Sequence, residues 1–177
     1  MTQIAEAPTL TTNRLVLRPH VLGDYDDYGH LMMSERARFM GGPFEPIDAW
    51  RNFASDVVQW TLIGGGALAV TLRDAGTVVG QVCLNRIPPF PEPELGWIAY
   101  DGHEGHGYVT EAARAFGHWC LTHLNLSSMV SYIDPENARS IAVAERLGAK
   151  RDDTAIRPDG ESPEECLVYR HPIGGTA

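Results

Sequence analysis

Residues Glu94–Ala113 read ELGWIAYDGHEGHGYVTEAA. The run ELGWIAY reads as a strand, and the following DGHEGHG is too rich in glycine to continue one. From Tyr108 the apolar residues fall at helical spacing. Val109, Ala112, Phe116, Trp119, Cys120 and His123 form a stripe that carries this helix to about Leu124. Gly102, Gly105 and Gly107 crowd its mouth, where glycines let the chain bend tightly and bring backbone close to a ligand. The first helical turn also leaves N–H groups unpaired and pointing outward. With the helix dipole, that combination binds phosphate or pyrophosphate. A plain glycine-rich turn without a ligand is the competing reading. Two nucleotide motifs are excluded: no lysine follows the glycines, as a Walker A loop needs, and Thr110 stands where a Rossmann fingerprint would place its third glycine.

Outward from this segment, period-two and helical stretches divide the chain. RLVLRPH predicts a strand over 14–19, and Tyr25, Tyr28, Leu31 and Met32 predict a helix over 24–38. Trp50, Phe53, Val57 and Trp60 mark an amphipathic helix over 47–63, its aromatics read as core. GALAVTLR and TVVGQVCLNRI flank an Asp74–Gly76 turn and read as a hairpin. Strict alternation in its second strand puts Val78, Gly80, Val82 and Leu84 on one side and Val79, Gln81, Cys83 and Asn85 on the other. Cys83 reads as a small core residue. After the prolines of PPFPEP come the strand at Glu94, the helix at Tyr108, a strand over 128–133 and a helix over 135–147 stopped by Gly148. A final hairpin spans the acidic loop RPDGESPEE and ends in CLVYRH. The order implies one α/β (α+β) domain with a mixed central sheet of about seven strands and flanking helices.

At 177 residues, with 44% hydrophobic and 21% charged, the chain suits a single folded domain. Its net charge of −9 disfavours a nucleic-acid-binding surface. No apolar run reaches the ~18 residues of a membrane span, and the N-terminal stretch has no secretory pattern. Cys83, Cys120 and Cys166 are an odd count without metal spacing, so a reducing cytoplasm is expected. His118 and His123 are five apart, with Trp119 where a zinc HExxH helix carries glutamate, so no metal site is expected.

Two segments resemble a known family. EGHGYVTEAA from Glu104 resembles the acyl-coenzyme A motif of the GCN5-related N-acetyltransferase (GNAT) superfamily, R/Q-x-x-G-x-G/A. Gly107 matches its central glycine, Glu104 replaces the Arg or Gln, and Val109 replaces the final small residue. DPENARSIAVAERLGA from Asp134 is similar to the later helix of the ribosomal-protein N-terminal acetyltransferase (RimJ/RimL-type) branch, as are NRLVLRP from Asn13 and the strand at Glu94. The likeness runs in order over residues 12–171 and implies one N-acetyltransferase domain there.

The resemblance further implies that acetyl-CoA wedges between two splayed strands, Leu95–Tyr100 and Met129–Ile133. The pantetheine arm would pair with backbone at Trp97, Ile98 and Ala99, where an amide would polarise the thioester carbonyl. The pyrophosphate would meet the amides of Gly105, His106, Gly107, Tyr108 and Val109. His106, and His103 beside it, could add charge when protonated. Asn137 and Ser140 lie one helical turn apart. The resemblance puts the Asn137 amide on the pantetheine arm and Ser140 near the sulfur, where its hydroxyl could serve the leaving thiolate. Helix capping, by Asp134 or Asn137, is the alternative. Glu94, with Glu92 just before it, is the candidate for a water-mediated general base. No positioned Cys–His pair is present, so direct transfer in a ternary complex is expected.

The acceptor expected is a primary amine, on a protein N-terminus or a cationic small molecule drawn to the acidic loop. A non-catalytic CoA-binding or regulatory protein, another acyl group and a hydroxyl acceptor remain open at this level, as does a homodimer.

Overall fold

The computed structural model describes residues 6–158 and 160–172. Its single sheet has eight strands: β1 (Leu10–Thr11), β2 (Leu15–Arg18), β3 (Gly66–Leu72), β4 (Val78–Asn85), β5 (Glu94–Ala99), β6 (Val130–Ile133), β7 (Lys150–Arg151) and β8 (Leu167–Arg170). They lie in the order β1-β2-β3-β4-β5-β6-β8-β7. Neighbours are antiparallel except β5 and β6. This is the mixed α/β architecture read from the sequence, with one strand more: β1 has two residues and leaves no period to detect.

The helices are α1 (Tyr25–Met32), α2 (Pro46–Ile63), α3 (Tyr108–His123) and α4 (Ala138–Arg146). Proline at the first position and left-handed Gly64 after the last delimit α2. The helix expected over 24–38 ends early. The Ser34 hydroxyl donates to the Leu31 carbonyl and accepts from the Arg36 amide, so the chain leaves α1 and continues as a 3-10 turn over Glu35–Met40. The helix expected from Pro135 starts at Ala138, because Asp134 and Asn137 turn the backbone first.

One sheet face packs on α3. Leu15, Leu17, Leu68, Val70, Val82, Leu84 and Leu95 meet Ala112, Ala113, Phe116 and Cys120 there. On the other face Tyr28, Leu31, Met32 and Phe53 of α1 and α2 meet Tyr100, Ile98 and Val78. The expected alternation along β4 breaks near its start. Val70 pairs with Gly80 but Thr71 pairs with Val78, so one extra residue is inserted on β4. That bulge exchanges the faces of Val78 and Val79. Val79 joins the α3 core and Val78 the α1/α2 cluster, opposite to the strict reading. Beyond the bulge Gln81, Cys83 and Asn85 keep the parity expected.

Between β5 and β6 the sheet opens. Their register contains the single pair Glu94↔Val130. The Val130 amide donates to the Pro93 carbonyl, and the Ser131 hydroxyl reaches the Leu95 carbonyl at 2.6 Å. Past that point no hydrogen bond joins the two strands among the described residues, and Trp97 packs against Ile133, Ala144 and Leu167 beneath the gap.

Candidate active site

Hydrogen-bond direction decides which part of β5 faces the gap. Pro93 and Leu95 turn their carbonyls toward β6, so by alternation Trp97 and Ala99 present their N–H and C=O groups to the same open side. The Ala99 carbonyl is already taken by Arg36 Nη2 at 2.8 Å. Trp97 therefore offers a free donor and acceptor, and Ala99 a free donor. Ile98 is placed differently from the other two. It lies opposite Gln81 on β4, and its side chain joins the α1/α2 cluster.

The glycine turn has the form its composition implies. Gly102, Gly105 and Gly107 all have positive φ, and Gly107 is the N-cap of α3 in a left-handed conformation. The amides of Gly105, His106, Gly107, Tyr108 and Val109 have no acceptor among the described residues. Arg14 braces the turn from outside. Its Nη1 donates to the His106 carbonyl at 3.1 Å, its Nε to Glu111 at 2.7 Å, and its guanidinium lies 4.8 Å from the centre of the Tyr108 ring. Holding that carbonyl to one side leaves the amides on the other. His106 is exposed and stacks on Tyr108; His103 is half-buried.

Across the gap, Asn137 caps α4, its Oδ1 accepting from the Ser140 amide at 3.1 Å. Capping uses the oxygen alone and leaves both Nδ2 protons available, so the cap and a ligand contact are compatible. Ser140 is half-buried on the same cleft, and its hydroxyl has no partner among the described residues.

Glu94 opens β5 on the face of α1 and α2. Its Oε2 accepts from Asn85 Nδ2 at 2.5 Å, and burial pushes its pKa up to about 7, with Asp56 adding repulsion. Glu92 is not equivalent. It forms a bidentate pair with Arg170 at 2.7 and 2.9 Å and a short bond with Ser128, which hold its pKa low. Cys83 lies beneath Glu94, buried, its thiol pushed well up by desolvation, as its core reading expects. Tyr132 packs on Phe90, and its hydroxyl is pushed up to about 12.

Several residues of the site were not singled out in the sequence. Asp56 of α2 accepts from Gln81 Nε2 at 2.8 Å, and burial raises its pKa to about 6. Its signal was available: Asp56 sits with Phe53 and Trp60 at spacings of three and four, a carboxylate on the inner stripe of a helix. Arg36 pairs with Glu104 at 2.8 Å, and also with Asp101. Ser131 and His171 stand where β5 and β6 part, with Oγ and Nε2 2.9 Å apart. Arg114, Arg139 and Arg146 line the α3/α4 end of the cleft. No group of three or more His, Cys, Asp or Glu suited to a metal is found among the described residues.

The turn residues Gly105–Val109, the β5 strand, Asn137, Ser140, Glu94 and Asp56 line one continuous cleft of about 2600 Å³. Ordinary small-molecule pockets measure about 300–1,000 Å³, so this one has room for two reactants. One side carries the turn amides, the free β5 backbone and three arginines, and suits an extended polyanion. The other carries Glu94 and Asp56, and suits an amine.

Comparison with known proteins bears on the family and the fold. A family model described as an acetyltransferase (GNAT) domain matches residues 14–150. The crystal structure of an acetyltransferase from Agrobacterium tumefaciens is similar with a TM-score of 0.88 and 43% identity, over 97% of this chain and 98% of that one. RimL, a ribosomal alpha-N-protein acetyltransferase solved in complex with coenzyme A, has a TM-score of 0.73 over 94% of this chain and 98% of its own, at 14% identity. That likeness is one of fold. The uncharacterized N-acetyltransferase YnaD of Bacillus subtilis is 28% identical over 83 residues, 47% of this chain and 49% of that relative, so the match spans about half of YnaD.

Proposed function

The chain belongs to the GNAT acetyltransferase family, and we propose that it is an acetyl-CoA-dependent N-acetyltransferase acting on a primary amine by direct attack in a ternary complex. Acetyl-CoA supplies an acetyl group as a thioester. The observation that carries the reading is the conjunction of unpaired turn amides and an open β5 edge with a carboxylate of neutral pKa on the opposite face. The residues present fit the cofactor. The amides of Gly105–Val109 and the dipole of α3 would hold its pyrophosphate, and Arg114, Arg139 and Arg146 make that end of the cleft positive in an acidic protein. Trp97 and Ala99 backbone and Asn137 Nδ2 would hold the pantetheine arm, with an N–H on β5 as donor to the thioester oxygen.

Glu94 accepts the proton that the amine must lose, directly or through water. A carboxylate that titrates near 7 is a far better base at neutral pH than one at its ordinary value. The free Ser140 hydroxyl hydrogen-bonds or protonates the departing thiolate. Neither step needs a covalent enzyme intermediate. Within the family, the Asn137–Ser140 pair and the strand at Glu94 favour the RimJ/RimL-type branch, with a peptide N-terminus or a cationic small molecule as acceptor. The domain extends over residues 12–171. No helix is long and apolar enough to cross a membrane among the described residues, and three free buried thiols suit a reducing cytoplasm.

Calorimetric titration with acetyl-CoA tests the cofactor assignment, and thiol release with a panel of amines tests transfer. Saturable binding near one per chain with amine-dependent thiol release is expected. No binding at pH 6 or pH 8 would remove the assignment and every role built on it.

A further inference from the structure

The acceptor side of the cleft carries more negative charge than one transfer needs. Glu94 and Asp56 come from different elements, β5 and α2, yet both hang over the same face of β4, one on the Asn85 amide and the other on the Gln81 amide. Neither carboxylate has an ion-pair partner among the described residues. Around Asp56 the unmet demand is for donors. Gln59, one turn further along α2 and 3% exposed, and Gln81, 2% exposed, both line the cleft. In each the side-chain carbonyl oxygen is buried without a donor among the described residues. The His20 ring near Gln81 does not meet that need. Its Nδ1 lies 3.2 Å from the Asp24 carboxylate, an acceptor, so the ring proton sits there. Burial keeps the ring neutral, leaving a lone pair on Nε2.

Buried acceptors left without donors are costly, and so is a buried carboxylate without a counter-charge. An ammonium group brings three N–H donors and one positive charge to a single point. That is the complement of the Asp56 carboxylate with two amide carbonyls. We propose that the acceptor is a dication, with a primary amine presented to Glu94 and a second ammonium group held by Asp56, Gln59 and Gln81. The assignment names the substrate class of the transferase site, and rests on that reading for which nitrogen is acetylated. Gln81 and Asn85 are four residues apart, at most about 13 Å of strand, and Cys83 between them, with Tyr28 and Met32 opposite, gives an apolar wall for a methylene chain. An aliphatic chain of four or five carbons with nitrogen at both ends, plus a hydrogen bond of about 2.9 Å at each, fits that span.

The test is calorimetric titration of the full chain at pH 7.5 with 1,5-diaminopentane and pentylamine, and with the four-carbon pair. The diamine of at least one pair is expected to bind about tenfold to a hundredfold more tightly than its monoamine. Asp56→Asn should bring that ratio close to one, and Gln59→Met should lower it several-fold in a chain whose core is otherwise unchanged. A lysine-bearing peptide amine, compared with its norleucine counterpart, separates a peptide source of the second charge from a small diamine; preference for either dication supports the assignment. Equal affinities in the unmodified protein, no detectable diamine binding, or a ratio unmoved by Asp56→Asn would overturn it. Acetyl-CoA is titrated separately, so failure of the transferase reading leaves the diamine comparison to decide this one.

Discussion

Ser131→Ala should cost the protein about 2–6 kcal/mol of stability, and the figure follows from two bonds. The Ser131 side chain is buried at the point where β5 and β6 separate, 2% exposed. Its single proton goes to the Leu95 carbonyl at 2.6 Å, so the contact with His171 at 2.9 Å must be Nε2–H donating to Oγ. Alanine leaves a buried carbonyl and a buried N–H without partners, each costing about 1–3 kcal/mol. His171 adds a pH signature. Burial pulls its pKa down to about 4, against about 6.5 in an unfolded chain. Between those values the unfolded state binds more protons, so this residue's contribution to stability is full above 6.5 and falls as pH drops toward 4, by about 2 kcal/mol at pH 5. Urea unfolding of the unmodified protein, Ser131→Ala, His171→Gln and the double variant at pH 7.5 and pH 5 measures both effects. His171→Gln should remove that part of the acid-side loss. A Ser131→Ala cost below about 0.5 kcal/mol would refute the reasoning, since it is the scale of an ordinary surface change.

With saturating amine, kcat should rise with pH through an apparent pKa near 7, because Glu94 must be ionised to accept a proton. Glu94→Gln should abolish that limb and lower kcat about 10²- to 10⁴-fold; an unchanged pH profile would move the base elsewhere. Gly96→Ala places a Cβ 2.6 Å from the Cys83 sulfur and 3.8 Å from the Glu94 carboxylate, so it should destabilise by about 1–3 kcal/mol, and Cys83→Ala in the same chain should recover part of the loss in thermal unfolding. Asn137→Asp keeps the capping oxygen and removes the Nδ2 donor, so it should weaken acetyl-CoA binding with little change in stability. Asn137→Ala should lose about 1 kcal/mol as well, and calorimetry paired with denaturation separates the two.

What could be read along the chain was whatever the chain states locally. The glycine turn and α3 are a composition signal followed by a period change, and both stand where the sequence puts them. A cap at Asp134 or Asn137 was legible because capping chemistry is confined to three or four residues, and the fold puts it on Asn137. Readings failed where a distant or competing partner decides. Ser34 ended α1 by satisfying a carbonyl and an amide nearby, which helical spacing does not register. The bulge at Val79 reversed two side chains because β3 and β4 pair with one residue to spare, a property of two strands together. Ile98 was grouped with Trp97 and Ala99, but adjacent residues on a strand point their backbone groups in opposite directions, and only the position of β6 tells which direction is open. Asp56 looked like one more polar residue on an amphipathic helix; its importance comes from Gln81 and Glu94, far away in sequence.

The departure at Glu104 shows how such a distant partner can restore what a local pattern lacks. A carboxylate beside a turn of free amides would repel an anion bound there. In the folded chain Arg36 pairs with Glu104 and Asp101 while donating to the Ala99 carbonyl. One guanidinium thus cancels part of the charge of two carboxylates at the edge of the turn. The same contact takes up a β5 carbonyl that would otherwise face the gap, leaving donors in excess there, as an anionic or carbonyl-bearing ligand requires. Arg14, just before β2, acts comparably on the other flank, through Glu111 and the His106 carbonyl. Where the family motif carries Arg or Gln in its first position, two arginines from elsewhere in the fold stand beside the turn here. Arg14 holds the His106 carbonyl to one side, and the amides of Gly105–Val109 are left without acceptors among the described residues.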